Sequence, residues 1–316
     1  MDSRRTKVKK GSQREAYAQA LLELGRRDKN IVVLDADLSR STKTIRFKEA
    51  FPDRFFNLGV SEADMVNTAA GIASCGKTVF ASSFAIFVTG KAWEEIRNTI
   101  AYSQLSVKIV ATHSGIGVGA DGASHQCLED IGLMRQIPET TVVVPADPVQ
   151  TKKAVLAVAK IPGLCYIRLT RQDLPIVYGE DIDFEIGKAI TLREGDDITI
   201  FAIGSMVYPS LIAGEILKKR GVEARVIDMH TVKPIDKDTI IKAAEETRAV
   251  ITCEDHSIIG GLGSAVSEVL CENYPKRLYR IGIPDVFGES GSHQELYKHF
   301  GLTPERIAKE ALRLIK

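Results

Sequence analysis

Short apolar blocks alternate with longer amphipathic stretches along nearly the whole chain. Ile31-Val32-Val33-Leu34-Asp35, Thr78-Val79-Phe80-Ala81, Val107 to Thr112, Thr141 to Val144 and Cys165 to Leu169 are too short for helices. Blocks of this kind predict strands buried on both faces. Between them Gln13 to Arg27, Phe84 to Tyr102, Leu128 to Arg135 and Pro148 to Ala159 read as helices, and Ala36 to Ser41 as a polar loop. Strands alternating with helices on short connections predict a largely parallel sheet covered on both faces.

Between Asp173 and Gly195 the rhythm lapses into Pro175, Gly179, Gly187 and acidic residues, which reads as a linker. It then restarts, with strands at Ile198 to Ile203, Ala224 to Asp228, Val250 to Glu254 and Leu278 to Ile283. Helices follow at Tyr208 to Lys219, Lys237 to Glu246, from Gly263 to Cys271, and from Pro304 to Ile315. The expected fold class is α/β in two domains, each a mainly parallel sheet covered by helices: residues 11–175, a linker over 176–194, and residues 195–316. No period of about 20–50 residues repeats, which excludes a solenoid.

Composition narrows the class without naming a chemistry. The 316 residues, 44% hydrophobic and 26% charged, suffice for two domains of about 150 residues. A formal net charge of +1 gives no bulk attraction to nucleic acid or to an anionic membrane. The one basic run, Arg4 to Lys10, reads as a solvated tail, and no apolar segment follows it as in a signal peptide. No apolar run approaches the roughly 18 residues that span a bilayer, so a cytoplasmic location is expected. Cys75, Cys127, Cys165, Cys253 and Cys271 are odd in number and lack a CxxC pair, which predicts reduced thiols and neither a disulfide framework nor a zinc site.

Two stretches carry candidate chemistry. In Phe55 to Met65, a short apolar run ends at Gly59, Ser61 can cap a helix with Asp64 as its capping-box partner, and Glu62 falls in the first turn. Taken alone, Glu62 need only complement the helix dipole. The second stretch, His113 to Gln126, is glycine-rich but has the spacing of neither a dinucleotide fingerprint nor a P-loop. It does carry His113, Asp121 and His125 at the sheet edge where open α/β folds bind ligands. Phe84 and Phe87, one helical turn apart, are equally readable as core.

These motifs together resemble the C-terminal half of transketolase, a thiamine-diphosphate enzyme. The resemblance rests on Gly59-Val60-Ser61-Glu62, Phe84-Ala85-Ile86-Phe87, Thr112-His113, the run Gly117 to Gln126, and Leu169-Thr170-Arg171-Gln172-Asp173-Leu174-Pro175. It implies a pyrimidine-binding domain followed by a transketolase C-terminal domain. Glu62 is then the carboxylate that bonds N1′ of the cofactor's aminopyrimidine and promotes formation of the nucleophilic ylide. Phe84 and Phe87 stack on that ring, with Gly90 where many relatives carry a third aromatic, and Asp37 lies near the cofactor. Asp121 recognises a sugar hydroxyl, His125 serves the reacting carbonyl, and Arg14, Ser41, His113 and Arg171 cradle the sugar phosphate. Two arginines suit a dianion because guanidinium binds phosphate in a forked, charge-assisted geometry.

The implied reaction is transfer of a two-carbon ketol unit from a ketose phosphate to an aldose phosphate, as in the pentose phosphate pathway. Thiamine-diphosphate enzymes of this type bind Mg²⁺ or Ca²⁺ through a Gly-Asp-Gly motif, and no Gly-Asp-Gly occurs here. The metal and diphosphate are therefore expected on a partner N-terminal subunit, with the cofactor shared and two copies of each chain assembled. Ser61 and Ala63 flank Glu62 where many full-length relatives have arginine and histidine. Rival readings are half of a 1-deoxyxylulose-5-phosphate synthase-like enzyme, a 2-oxoacid dehydrogenase β subunit, or a non-catalytic stabilising subunit. Glu254-Asp255-His256, before Gly260-Gly261-Leu262-Gly263, reads as domain packing. His230, His293 and His299 have no metal spacing.

Overall fold

The computed structural model describes residues 8–316. Arg4 to Lys7 of the basic run lie outside those residues. The first part of the chain forms β1 (Lys10–Gly11), β2 (Ile31–Asp35), β3 (Phe55–Asn57), β4 (Thr78–Phe84), β5 (Val107–Thr112), β6 (Thr141–Val143), β7 (Cys165–Arg168) and β8 (Leu174–Pro175). The second part forms β9 (Ile190–Arg193), β10 (Ile198–Ala202), β11 (Ala224–Asp228), β12 (Thr231–Lys233), β13 (Val250–Ser257) and β14 (Leu278–Ile283).

The larger sheet has the order β12-β6-β7-β5-β4-β2-β3 and is parallel except where β12 pairs with β6. The smaller runs β14-β13-β10-β11-β9, parallel except for β9 against β11. β1 and β8 pair with each other, which ties the start of the first domain to its end. β2, β5, β7 and β10 are buried at every residue, as strands covered on both faces are, and they bury Asp35, Lys108 and Arg168 along with their apolar residues. Among the described residues no helix is long and apolar enough to cross a membrane.

The two sheets are not independent. β12 follows the second domain's β11 in sequence but completes the first domain's sheet, and Val144 donates its N–H to His230 O at 2.7 Å. One apolar core joins Ile131, Met134 and Val142 to Phe201, Met229 and Leu262.

Several local expectations fail for identifiable reasons. β4 runs through Phe84, so Phe84 ends a strand and does not begin a helix. Beyond it the chain forms π-helical turns at Ile86–Lys91 and Ile96–Ala101 around a helical turn at Trp93–Glu95. Thr89 Oγ1 donates to Ala85 O at 2.7 Å within the first of them, and such turns are frequent at functional sites. The helix at Glu62–Ser74 forms, but Ser61 makes no side-chain cap bond and the predicted capping box is absent. Ile190–Arg193, inside the predicted linker, is the edge strand β9. The polar segment after β2 holds helical turns at Ser39–Thr42 and Ile45–Ala50. A helix at His293–His299, unmarked by any long apolar pattern, starts at a complete Ser292/Glu295 capping box.

Candidate functional site

The candidate residues collect beyond the carboxyl ends of β2, β4, β5 and β7. Gln13, buried at the start of the Gln13–Arg27 helix, donates to Pro145 O at 2.7 Å and accepts from Thr170 N at 2.9 Å. That clamp brings Arg14 beside Arg171. Arg14 Nη1 donates to Ser41 O at 2.9 Å and Nη2 to Arg171 O at 2.8 Å. Arg171 Nη1 donates to Val118 O at 2.8 Å and to Asp121 Oδ2 at 3.0 Å. Ser41 thus meets Arg14 through its carbonyl. Burial, and then Arg171, hold the Arg14 guanidinium below its ordinary range, and its Nε is buried without a partner among the described residues.

His113 stands next to this pair in a left-handed backbone conformation, φ 58°, and its Nδ1 is 2.9 Å from Thr112 Oγ1. Burial first, then Arg14, Arg171 and His125, push its pKa down to about 3. His113 is therefore neutral near pH 7 and leaves the positive charge to the arginines.

An aromatic group adjoins the cations. The Phe84 ring stacks on His113 at 3.7 Å and lies 5.8 Å from Phe87 at 17°. Phe87 meets His125 edge-on at 5.4 Å. His125 Nδ1 is 3.0 Å from Ser124 Oγ. At Gly90 a Cβ would meet, within 4 Å and among the described residues, only Ile86 Cδ1 at 3.6 Å, so there is room there for a side chain.

Glu62, 2% exposed, has its Oε2 2.7 Å from Nζ of Lys91, whose side chain is 59% exposed. Sequence reasoning missed Lys91. It lies four residues after Phe87 on the same π-helical turn, and no motif marks it. Asp37 is exposed in a left-handed conformation, φ 63°, and exchanges bonds with Asn57: N to Oδ1 at 2.9 Å and Oδ1 from Nδ2 at 3.1 Å. Its bonds do not reach the arginine and aromatic cluster. The loop bearing Asp37 and Ser41 is shaped by Asp35, which accepts from Leu38 N, Thr42 Oγ1 and Thr44 Oγ1 at 2.6–2.8 Å. Burial raises Asp35 to about 6.

The glycine-rich loop is held from the second domain. Ile116 N donates to Asp255 Oδ1 at 2.9 Å, and Tyr297 Oη donates to Asp255 Oδ2 at 2.7 Å. A side chain at Gly115, φ 72°, would collide with the Asp255 carboxylate, and one at Gly117 with Gln172. Gln126 Nε2 donates to Glu289 O at 2.9 Å. Behind the loop, Asp130 accepts from Tyr166 Oη at 2.6 Å and Arg168 Nε at 2.7 Å, while Arg168 Nη2 donates to Asp255 O at 2.9 Å. Glu254 accepts from Leu262 N and Gly263 N at the start of the Leu262–Asn273 helix, and burial raises it to about 7. The Glu254-Asp255-His256 segment is packing, but packing that reaches the loop of His113, Asp121 and His125. Among the described residues no three His, Cys, Asp or Glu side chains stand together as a metal site.

Residues 9–177 match the transketolase pyrimidine-binding domain and residues 187–307 the transketolase C-terminal domain. These matches define the class: an α/β chain carrying the pyrimidine-binding part of a thiamine-diphosphate enzyme. The chain belongs to the transketolase family. It is 52% identical over 306 residues, 96% of each chain, to a protein of Methanocaldococcus jannaschii provisionally named a transketolase C-terminal section. It is 41% identical over 298 residues to a 6-deoxy-6-sulfo-D-fructose transketolase subunit of Clostridium sp. (strain MSTE9), covering 94% of this chain and 92% of that one. Human transketolase is 37% identical over 306 residues, which are 96% of this chain and 49% of the human one. A solved split-gene transketolase, described as an inactive β4 tetramer, superposes with a TM-score of 0.89 at 47% identity, covering 96% of this chain and 98% of that one.

Proposed function

We propose that this chain is the pyrimidine-binding and C-terminal subunit of a two-chain transketolase. With a partner chain that carries the diphosphate domain and its Mg²⁺ or Ca²⁺, it transfers a two-carbon ketol unit from a ketose phosphate to an aldose phosphate. The observation that carries this reading is the contact between a cation cradle and an aromatic step: Arg14 and Arg171 beside neutral His113, whose ring stacks on Phe84. The cradle suits a phosphate. Among the described residues Arg14 Nε is a buried donor with no acceptor, and Asp121 is the carboxylate bonded to this pair of guanidiniums, which leaves charge for a dianion to meet.

The same residues suit thiamine diphosphate, which when bound supplies the carbanion that carries the two-carbon unit. Glu62 accepts a bond from the aminopyrimidine and holds its tautomer. Phe84 and Phe87 fix the plane of the ring, and Asp37 serves near the cofactor. Asp121 orients a sugar hydroxyl while Arg14, Ser41, His113 and Arg171 hold the phosphate end. His125, hydrogen-bonded to Ser124, moves a proton at the substrate oxygen next to the bond that breaks. The named sulfo-sugar relative acts on a different sugar, so the pentose phosphates are the proposed substrates of this chain and not a property of the family. Self-association as two copies of each subunit is part of the proposal.

The test is co-purification with a diphosphate-domain chain and an assay of ketol transfer from xylulose 5-phosphate to ribose 5-phosphate. Transfer is expected from the mixture and from neither chain alone. Cofactor binding with release only of carbon dioxide from 2-oxoacids would replace this reading with that of a 2-oxoacid dehydrogenase subunit.

A further inference from the structure

Glu62 is a 2% exposed acid whose sequence neighbours give it nothing: Ser61 makes no cap bond and Ala63 has no polar group. A carboxylate in that position is tolerated only with a compensating charge. Lys91 supplies it, with Nζ 2.7 Å from Oε2. The supplier is built into the π-helical turn Ile86–Lys91. Four residues separate Phe87 from Lys91, close to one turn of a π-helix, so the turn that carries Phe87 to His125 also carries Lys91 to Glu62.

Among the described residues no other charged group on the elements packed against the Glu62–Ser74 helix bonds Glu62, and Glu95 has its Oε2 buried without a partner. Asp35 is bonded to Thr42 and Thr44, Lys108 to the carbonyls of Ile161 and Gly163, and Glu94 and Arg97 to Asn98. Glu95 lies on the same helical turn as Glu94 and adds no cation, and on the helix itself Asp64 accepts from Thr68 Oγ1.

We propose that Lys91 is a positioning residue for Glu62, and that this contact holds the carboxylate aimed at the aminopyrimidine. The inference rests on the function proposed above.

Two measurements test it. In the isolated chain, urea unfolding of Lys91→Met, Glu62→Gln and the double variant forms a thermodynamic cycle. Lys91→Met is expected to lower the urea midpoint in the wild-type background and to leave it unmoved when residue 62 is already neutral. An equal loss in both backgrounds overturns the pair. In the assembled two-chain enzyme, removing the cation takes away the one side-chain bond that orients Glu62 among the described residues. Lys91→Met should therefore lower kcat roughly tenfold and leave the KM for the sugar phosphates unchanged, because it touches none of the residues proposed to hold them. Lys91→Arg should restore kcat, whereas a merely structural lysine would raise KM as well and lower the urea midpoint in both backgrounds. Coupling in the isolated chain combined with an unchanged kcat would leave the ion pair standing and overturn the positioning role of Lys91.

Discussion

Asp130 and Glu62 are both buried carboxylates with a cation 2.7 Å away, and the surroundings of the two pairs differ in every other respect. The partner of Asp130 is Arg168, 3% exposed, and Tyr166 adds a second donor. Arg168 in turn spends Nη2 on the carbonyls of Cys127 and Asp255. The partner of Glu62 is a lysine with most of its side chain in solvent, and no other bond to Glu62 occurs among the described residues. Asp130 sits where the two domains weld together. Glu62 sits at a sheet edge where Phe56 and Val60 are exposed, 44% and 77%. A network in which a buried arginine and a tyrosine both hold one carboxylate oxygen, leaving only Asp130 Oδ1 without a partner among the described residues, is built for rigidity. A buried acid closed on one side only by a flexible cation is built to accept something else.

If that distinction is right, activity and stability should separate. Glu62→Gln should cut ketol transfer by about 10²–10⁴-fold, the usual span for a positioned acid or base, with the thermal midpoint held or raised because the variant buries no charge. Full activity in Glu62→Gln would favour a non-catalytic stabilising subunit. Arg168→Met should do the reverse, costing about 3–5 kcal/mol in urea unfolding because it leaves Asp130 buried without its cation. A loss under about 1 kcal/mol would mean that the domain weld does not depend on this pair.

The smallest effect is expected from a third acid of the welded region. Asp228 accepts from Tyr178 Oη at 2.6 Å and Gln150 Nε2 at 2.8 Å, and burial pushes it up to about 7. Folded chains hold this proton more tightly than unfolded ones, whose value is near 3.8. The stabilisation is complete below about pH 4 and is lost as pH rises through about 7. His230 and His256, lowered to about 4 by burial, act in the opposite sense over pH 4 to 6.5, so the whole-protein profile mixes both. The difference between wild type and Asp228→Asn isolates the one group. Denaturant unfolding should show that difference moving in the variant's favour between about pH 4 and 7, and a constant difference would remove Asp228 from the account.

Legibility followed the range of the physics. Buried strands such as Ile31–Asp35 and Val107–Thr112 declare themselves through local composition, and their ends are where the pattern puts them. The motif order placed Arg14, Ser41, His113, Asp121, His125 and Arg171 in one family site, and the coordinates join Arg14 to Ser41 and Arg171, and Arg171 to Asp121. Phe84 escaped the helical reading because β4 continues until pairing with β5 ends, at Phe84 opposite Thr112. The strand in the predicted linker escaped because β9 is an edge, only partly buried, and lacks an apolar signature.

The sequence by itself determined the alternation of strands and helices, the absence of a Gly-Asp-Gly metal motif, and the residue types able to serve a phosphate, a carbonyl and a ring nitrogen. These depend on neighbours in the chain or on motif order. Only the tertiary structure decided that Lys91 answers Glu62, that β12 closes the other domain's sheet, and that Asp255 and Tyr297 hold the glycine-rich loop across 139 positions of chain. A buried charge or an unpaired edge is satisfied by whatever the fold brings within about 3 Å, and chain order does not record that distance.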